Sequence, residues 1–518
     1  MIPMNRLHTA ATLIAALSLL LAAATAQALD PRYHTHAEVR SELLAAAAAH
    51  PEITRLDTLG YSGTYGKAIW GFKVSDNPDV DEDEPVVLYV GVHHAEEVMG
   101  LEAIMWMIDE ILTGYGVDDT LTAWVNDNET WFVPIMNPDG HELVLSGAWE
   151  DWRKNLRDNN GSGAFERDQD GVDLNRNYDF NWTAGGSSIP ASDYYRGPSP
   201  FSEPENQAVR DLCNGVKPMF SLNYHSPRSS VGDCVYYPWF WPAQGYCPDY
   251  PHIQDIAVEL ANRTKKPDGT SFQALYGYAS SGGCARNWHY YATGCVSLEM
   301  EILSVAVTVP GDSVDAYCRR VARGSWYFYE RAKGPGITGH VTDAVTGGPI
   351  VAEVKVLEAT SDQILPRTTD ATYGRYWRPF VPGTYTVEFS APGYLGLTRA
   401  VVVGEGEWAV LDAALWPESS GVPESAHGAR IESVVPNPFS GMTTVRFAAP
   451  PGASPRVEIH DAAGRLVAEI AAPTDERGAG EVVWDGRARG GEKAASGVYF
   501  ARLVAGETSH EVKVVYLR

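Results

Sequence analysis

The chain has 518 residues, which is too long for one ordinary domain and predicts two to four domains. Apolar residues make up 44% of the chain, enough to fill several globular cores. The formal net charge of −26 argues against a nucleic-acid partner, because an acidic surface repels the phosphate backbone.

The N-terminus has the parts of a secretory signal peptide. Arg6 is followed by the apolar run ATLIAALSLLLAAATA and then by Ala26-Gln27-Ala28, an A-x-A cleavage pattern. An uncleaved membrane anchor is the alternative, but the run is shorter than the roughly 20 residues that span a bilayer. We expect residues 1–28 to be a signal peptide and the protein to be secreted, either extracellular or at the cell surface.

Residues 29–333 alternate between helix and strand patterns. HAEVRSELLAAAAAH is rich in helix formers, PVVLYVGV suits a buried strand, LEAIMWMIDEIL is helical, and TWFVPIM is again a strand. This alternation predicts an α/β domain with helices on both faces of a sheet. Sites in such sheets form beyond the carboxyl ends of strands.

The segment GVHHAEEVMG, residues 91–100, lies at such a strand end. It contains two candidate metal-binding pairs with equal spacing, His93 with Glu96 and His94 with Glu97. Imidazole and carboxylate both bind zinc, and a catalytic zinc uses three protein ligands plus water. The residues alone do not decide between the two pairs, and a catalytic zinc would need a third protein ligand from elsewhere in the chain.

Candidates for a third ligand and a base lie further along the chain. FSLNYHSP places His225 near the end of a strand-like run, and VSLEMEI places Glu299 and Glu301 on one face of an apolar strand. An inward carboxylate needs a reason. General-base catalysis beside a metal is one, and an ordinary ion pair is the other.

Two arginines between these elements are candidate substrate ligands. Arg153 lies in DWRKN, and Arg176 follows Asn175 in GVDLNRNYDFNW. A guanidinium can hold a carboxylate through two parallel hydrogen bonds, although either arginine could simply lie at the surface.

Three acids in DQDGVDLNRN, Asp168, Asp170 and Asp173, resemble those of a calcium loop. Their spacing is not that of an EF-hand, which also needs a Glu at its twelfth position. They support the hypothesis of a structural calcium site.

The cysteines are clustered in one third of the chain. In an exported protein an even, clustered set suggests disulfides, and Cys234 with Cys247 is the pair that we expect to join locally; six buried thiols are the alternative. There is no C-x-x-C pair, so a cysteine zinc site is not expected. The six are Cys213, Cys234, Cys247, Cys284, Cys295 and Cys318.

The pattern becomes all-β after about residue 334. Residues 334–417 contain short runs such as GTYTVEFSA, separated by Gly and Pro, and predict a small sandwich. A polar linker at 418–430 precedes a second all-β module at 431–518. Neither module contains a cysteine or a cluster of metal ligands, so we expect both to be noncatalytic.

Taken in order, the motifs of the first region resemble the zinc carboxypeptidase family, the metallocarboxypeptidases similar to pancreatic carboxypeptidase. The resemblance covers about residues 31–333. It implies a mixed central sheet with helices on both faces, and a secreted zinc exopeptidase that acts on the C-termini of peptides and proteins. The motifs are HAEE, NPDG, WRK, GVDLNRN, YRGPSPFSEPE, His225-Ser226, Y-x-x-S-G at residues 278–282, and the final strand glutamate.

The resemblance also implies how the ligands are chosen. Bacterial members commonly read H-H-A-R-E, where the second His pairs with the Glu, so His94 and Glu97 become zinc ligands with His225 as the third. Glu301 is implied as the general base because it lies seven residues after a glycine, with Glu299 as the alternative.

The remaining roles follow from the same resemblance. Arg153 polarises the scissile carbonyl, Asn175 and Arg176 hold the free C-terminal carboxylate, and Tyr278 closes over the bound end. Glu96 stands where the family usually has Arg, which affects how substrate residues upstream of the cleaved bond are held.

The specificity pocket departs from the family pattern. The segment CARNW is one residue longer than usual, so either Ala285 or Arg286 could lie at the pocket base. An inward Arg286 would attract Asp or Glu at the substrate C-terminus, whereas an outward one would leave a small neutral pocket.

The β modules resemble a transthyretin-like, carboxypeptidase-regulatory-type sandwich and an immunoglobulin-like, FlgD-like or sorting-type module. The second of these suggests contact with the cell surface or a secretion system. Two other functions stay open: a zinc hydrolase of the same fold that acts on cell-wall peptides or acylated amino acids, and a noncatalytic binding protein.

Overall fold

The computed structural model describes residues 31–226, 232–242, 245–277, 282–303, 308–418, 429–450, 453–475, 478–506 and 508–518. The chain divides into two compact units. The first comprises Met1–Gly334 and Ser361–Leu365, and the second comprises Pro335–Thr360 and Pro366–Arg518. The expected signal peptide lies outside the described residues.

The first unit is an α/β structure. Its described helices are α1 (His36–Ala49), α2 (Met99–Gly114), α3 (Asp119–Asn126), α4 (Pro138–Leu145), α5 (Pro204–Val216), α6 (Tyr250–Arg263), α7 (Ala285–Thr293), α8 (Val314–Ser325) and α9 (Tyr327–Arg331). Its described strands are β1 (Thr54–Tyr61), β2 (Ala68–Val74), β3 (Val86–Val90), β4 (Glu129–Val133), β5 (Phe220–His225), β6 (Cys234–Tyr237), β7 (Phe240–Trp241), β8 (Gly245–Tyr246), β9 (Gln273–Tyr276) and β10 (Val296–Glu301).

Eight of these strands form a mixed sheet in the order β1-β2-β4-β3-β5-β10-β6-β9. The central strands β4, β3, β5 and β10 run parallel to one another, while the β1-β2, β2-β4 and β10-β6 pairs are antiparallel. Strand β3 is buried along its whole length, as its apolar run predicts for a strand covered on both faces.

Side chains of β5 show that helices cover both faces of this sheet. Residues of opposite parity on a strand point to opposite faces. Ser221 Oγ lies 3.0 Å from His289 Nδ1 on α7, whereas Tyr224 Oη lies 2.6 Å from Ser325 Oγ on α8. The predicted fold class is therefore confirmed.

The local disulfide expected between Cys234 and Cys247 is wrong. All six cysteines, which all lie among the described residues, are buried thiols. Cys234 begins β6 and is paired in register with Glu301 of β10, so its backbone is held by the sheet. Its thiol is buried, as in the alternative with six buried thiols.

The second unit is all β in its described part. Its first core is built from residues 337–415 and its second from residues 429–516, so each predicted sandwich has its own apolar interior. The exact module borders stay predictions. The strands are β11 (Gly336–Asp343), β12 (Glu353–Val356), β13 (Arg375–Pro379), β14 (Gly383–Ser390), β15 (Leu397–Val403), β16 (Trp408–Val410), β17 (Ala413–Leu415), β18 (Arg430–Val435), β19 (Thr443–Ala448), β20 (Arg456–Asp461), β21 (Leu466–Ala471), β22 (Ala479–Trp484), β23 (Gly497–Ala505) and β24 (Thr508–Tyr516).

Within the described ranges, no helix is both long enough and apolar enough to cross a membrane.

A partly buried ion pair attaches the segment before α1 to helix α2. His34 Nδ1 lies 2.6 Å from Glu102 Oε2, and the His34 backbone N–H donates to Glu102 Oε1 at 2.9 Å. The hydrogen bond to Glu102, and then its charge, outweigh the effect of burial and raise the pKa of His34 to about 9.

We expect His34→Gln to lower stability in a pH-dependent way. A raised folded-state pKa stabilises the fold fully below pH 6.5, and this contribution is lost as pH rises through about 9. Because His34 is partly exposed, the loss at pH 6 should be about 1 kcal/mol. Denaturant unfolding of both proteins at pH 6 and pH 10 measures it, and an equal difference at both pH values would contradict the pairing.

Candidate active site

Three neighbouring parallel strands bring the candidate residues together. Strands β3, β5 and β10 are adjacent and parallel, so their carboxyl ends lie at one edge of the sheet. The loop with His94 follows β3, while His225 ends β5 and Glu301 ends β10. His225 and Glu301 are also register partners, which places their side chains on the same face.

The loop after β3 is held from two sides. Its Ala95 N–H donates to the Arg153 carbonyl at 3.0 Å, so the two segments are joined by their backbones. At the start of α2, a Cβ on Gly100 would lie 2.5 Å from the Tyr224 Cβ, so only glycine allows the helix to approach β5 this closely.

The NPDG motif supports the same loop. Asn137 caps α4 by accepting from Gly140 N, and Pro138 occupies the first turn of that helix. The Asn137 side-chain amide also donates to the carbonyls of His93 and Lys154, at 3.3 and 3.2 Å. A cap residue therefore connects the His-Glu loop to the segment that follows Arg153.

The three predicted zinc ligands converge. His94 Nδ1 lies 2.9 Å from Glu97 Oε2, and His225 Nδ1 lies 2.8 Å from the same oxygen. The two imidazole Nδ1 atoms are 3.0 Å apart. All three side chains are at most 3% exposed.

This donor set fits a zinc ion. Two imidazole nitrogens and one carboxylate oxygen are the ligands that zinc accepts, and three protein ligands leave a position for water. The two facing nitrogens cannot both donate to each other, and a cation between them would satisfy both together with the carboxylate. His94, Glu97 and His225 form one of the metal-competent groups among the described residues.

The alternative pair is not part of this group. His93 Nε2 lies 3.1 Å from Tyr178 Oη, and Glu96 is buried. Burial and the neighbouring imidazoles His225 and His94 hold the pKa of His93 well below its usual range, so its ring is neutral. His93 therefore lies next to the candidate metal site, with its ring 5.2 Å from that of His225, and is not one of its three ligands.

Asp173, one of the three acids of the expected calcium site, instead contacts a predicted zinc ligand. Its Oδ1 lies 3.2 Å from His94 Nε2, and its Oδ2 accepts from Arg153 Nε at 3.0 Å. A carboxylate on the second ring nitrogen fixes the imidazole tautomer and leaves Nδ1 free to bind a metal. The signal available in the sequence was its place in GVDLNRN, three residues before Arg176.

The calcium hypothesis finds no support at these three acids. Asp168 is exposed, and Asp170 accepts from the backbone N–H groups of Asn159 and Glu166 at 3.1 and 2.7 Å. Asp173 faces the metal centre instead, so the three carboxylates do not share one position.

Arg153 is a buried cation next to the ligands. Its Nη1 is 3.6 Å from Glu97 Oε1 and 3.1 Å from His94 Nδ1. Burial opposes its charge, but the carboxylates of Asp173, Glu97 and Glu96 outweigh it and raise the pKa of Arg153. Glu96, which stands where the family usually has Arg, thus helps to keep the Arg153 guanidinium charged.

The two glutamates of β10 have opposite surroundings. Glu299 Oε2 lies 3.1 Å from Arg286 Nη1 and 3.3 Å from Asn175 Nδ2. Burial alone would raise the pKa of Glu299, but the charges of Arg286, His225 and Arg176 lower it to about 2. Glu299 is therefore an ionised partner in a buried pair.

Glu301 forms no such ion pair within the part of the chain that the structure describes. Its Oε2 is buried and has no hydrogen-bond partner among the described residues. Burial and the nearby Glu97 carboxylate raise the pKa of Glu301 to about 8. A carboxylate with a raised pKa beside a metal site has the properties of a proton acceptor.

The predicted substrate-binding residues lie beside this pair of glutamates. Asn175 is buried, and its Oδ1 accepts from Ala285 N at 2.9 Å. Arg176 is partly exposed, and its Nη1 donates to the Asn175 carbonyl. The Arg286 side chain points inward, as in the first of the two alternatives given for it above, and not outward. Tyr278 lies outside the described residues.

Three segments match known sequence families. Residues 39–310, more than half of the chain, match the family described as zinc carboxypeptidase. Residues 336–415 match the carboxypeptidase regulatory-like domain, and residues 437–509 match the FlgD Ig-like domain. Both resemblances of the β modules are thereby confirmed.

Similar proteins agree with these matches. Carboxypeptidase D of Homo sapiens is 28% identical over 397 residues, which cover 72% of this chain. The chain spans only 26% of that relative's length. Carboxypeptidase A2 of Rattus norvegicus is 30% identical over 270 residues, covering 50% of this chain and 59% of the relative.

A solved structure shows the same fold. The crystal structure of the carboxypeptidase A from Helicoverpa armigera aligns with a TM-score of 0.51 and 24% identity. The alignment covers 62% of this chain and 80% of that chain.

We expect the metal to follow His94 and Glu97 rather than His93 and Glu96. The purified protein should hold about one zinc per chain, because one group of three ligands converges here. His94→Ala or Glu97→Ala should lose it, while the matched variants His93→Ala and Glu96→Ala should largely keep it. Zinc content measured by mass spectrometry decides this, and the reverse pattern would show that the ligand assignment is wrong.

Proposed function

The chain belongs to the zinc carboxypeptidase family, and on that premise we propose that it removes the C-terminal residue from peptides and proteins. One observation supports this most: the three metal ligands converge beside Arg153, and Glu301, whose Oε2 has no partner among the described residues, is the register neighbour of His225. Asn175, which precedes Arg176, lies 3.2 Å from His225 through its Nδ2. A ligand set, a cation and a base in this arrangement suit hydrolysis of an amide bond.

A zinc ion held by His94, Glu97 and His225 supplies Lewis acidity, which polarises a carbonyl and makes water acidic enough to react near neutral pH. Arg153 donates to the carbonyl oxygen as negative charge develops there, and its buried position makes that interaction strong. Asp173 keeps the His94 ring and the Arg153 guanidinium in place.

Glu301 acts as the general base in this proposal. It takes a proton from the attacking water and passes it to the leaving amine, which requires a carboxylate whose pKa lies near the working pH. Its raised pKa and unpaired Oε2 support the assignment over Glu299, whose charge is already matched by Arg286.

Asn175 and Arg176 restrict the reaction to chain ends. An amide and a guanidinium can hold the free carboxylate of the last residue, which fixes the cut one residue from the end. Tyr278 is proposed to cover the bound end. A noncatalytic binding protein would have lost a ligand, the base or Arg153, and this chain retains all of them.

Export and surface contact are further parts of the proposal. The charged start, apolar run and A-x-A pattern of residues 1–28 support secretion. The FlgD Ig-like match supports a role of residues 437–509 in contact with the cell surface or a secretion system.

The exported protein is expected to begin at Leu29, because cleavage follows the A-x-A pattern. N-terminal sequencing of protein from the culture medium or cell surface measures this. Recovery of a chain that still begins at Met1 in the membrane fraction would contradict it.

Glu301→Gln should retain zinc and bind substrate but lose most of its turnover. A general base commonly contributes about 10²- to 10⁴-fold, so kcat should fall by several orders of magnitude. Glu299→Gln is the matched control on the same strand face. Near-normal turnover of Glu301→Gln with an inactive Glu299→Gln would assign the base to Glu299.

A further inference from the structure

A buried ion pair lies beside the proposed carboxylate-binding residues. Arg286 is in the first turn of α7 and Glu299 is on β10; their side chains are 1% and 9% exposed. Arg286 Nη1 is 3.1 Å from Glu299 Oε2. No step of the proposed hydrolysis uses this pair.

Glu299 of this pair lies two strand residues before the proposed base, Glu301. Glu299 and Glu301 are on the same face of β10, about 7 Å apart along the strand. Glu299 also accepts from Asn175 Nδ2 at 3.3 Å. A substrate with its last peptide bond at Glu301 and its free carboxylate at Asn175 and Arg176 therefore presents its C-terminal side chain to the pair.

Arg286 is held in place by its surroundings. A Cβ at position 277 would lie 2.3 Å from Arg286 Nη2, so Gly277 leaves room that the guanidinium fills. On another side, the guanidinium carbon is 5.4 Å from the centre of the Tyr236 ring. Glu299 is its ion-pair partner. The Arg286 guanidinium is therefore enclosed by protein groups and has a partner without a bound substrate.

We infer that Glu299 is a specificity-determining residue, which cancels the charge of Arg286 so that the pocket selects uncharged C-terminal side chains. This rests on the proposed carboxypeptidase function. Without Glu299, the buried Arg286 would attract Asp or Glu; without Arg286, the buried Glu299 would attract Lys or Arg.

With both residues present, either kind of charged side chain meets a like charge, and the opposite charge of the pair is already engaged. A charge brought into such a pocket loses its hydration without gaining a partner, which disfavours it against a neutral side chain of the same size. The presence of an inward arginine therefore does not by itself make the enzyme select acidic ends.

The test compares three blocked dipeptides that share the same penultimate residue and end in Gln, Glu or Lys. The zinc-loaded wild type should have a kcat/KM for Gln about 10-fold or more above those for Glu and Lys. Glu299→Gln should raise the Glu-to-Gln ratio about 10-fold or more, and Arg286→Gln should do the same for the Lys-to-Gln ratio. The double variant should return to a preference for Gln.

Ratios between substrates cancel losses of active protein, so they separate a role in selection from a purely structural one. If one single variant fails to fold because it leaves a charge buried alone, the other single variant and the wild-type ranking still decide. A wild type that prefers Glu or Lys, or ratios that do not move in a folded single variant, would overturn the inference alone. No release of any of the three C-terminal residues by wild type would overturn the proposed function as well.

Discussion

The pairing of buried charges is the constraint on which this catalytic unit depends. Glu97, Asp173 and Glu299 are buried. Burial of an isolated carboxylate would cost several kcal/mol, because the charge loses its hydration. Each has a cationic neighbour. Arg153 lies beside Glu97 and Asp173, and Arg286 lies beside Glu299. The position of each of these three carboxylates is therefore tied to that of a partner from another element.

Strand β5 is the element that makes these pairings possible. It lies between β3 and β10 and runs parallel to both, so its terminal His225 reaches the loop on one side and Glu301 on the other. Its upstream residues contact helices on both faces through Ser221 and Tyr224. A strand buried on all sides is a rigid support, which suits a site whose ligand atoms must meet within 3 Å.

The two glutamates of β10 show how surroundings, rather than residue type, assign a role. Both are carboxylates on one face of one strand, yet Glu299 has a guanidinium and an amide as partners, while the Oε2 of Glu301 has none among the described residues. Their pKa values move in opposite directions as a result. Separation of this kind lets neighbouring acids carry out different tasks in one site.

The sequence by itself determined the layers and the local ligand pattern. A strand such as PVVLYVGV, the spacing of His94 and Glu97, and the same-face placement of Glu299 and Glu301 follow from periodicities within one element. Only the tertiary structure decided that Asp173 bonds His94 and that Arg286 is paired with Glu299. Those contacts join different elements, and which side chains meet depends on how whole helices and strands pack, which no local pattern encodes.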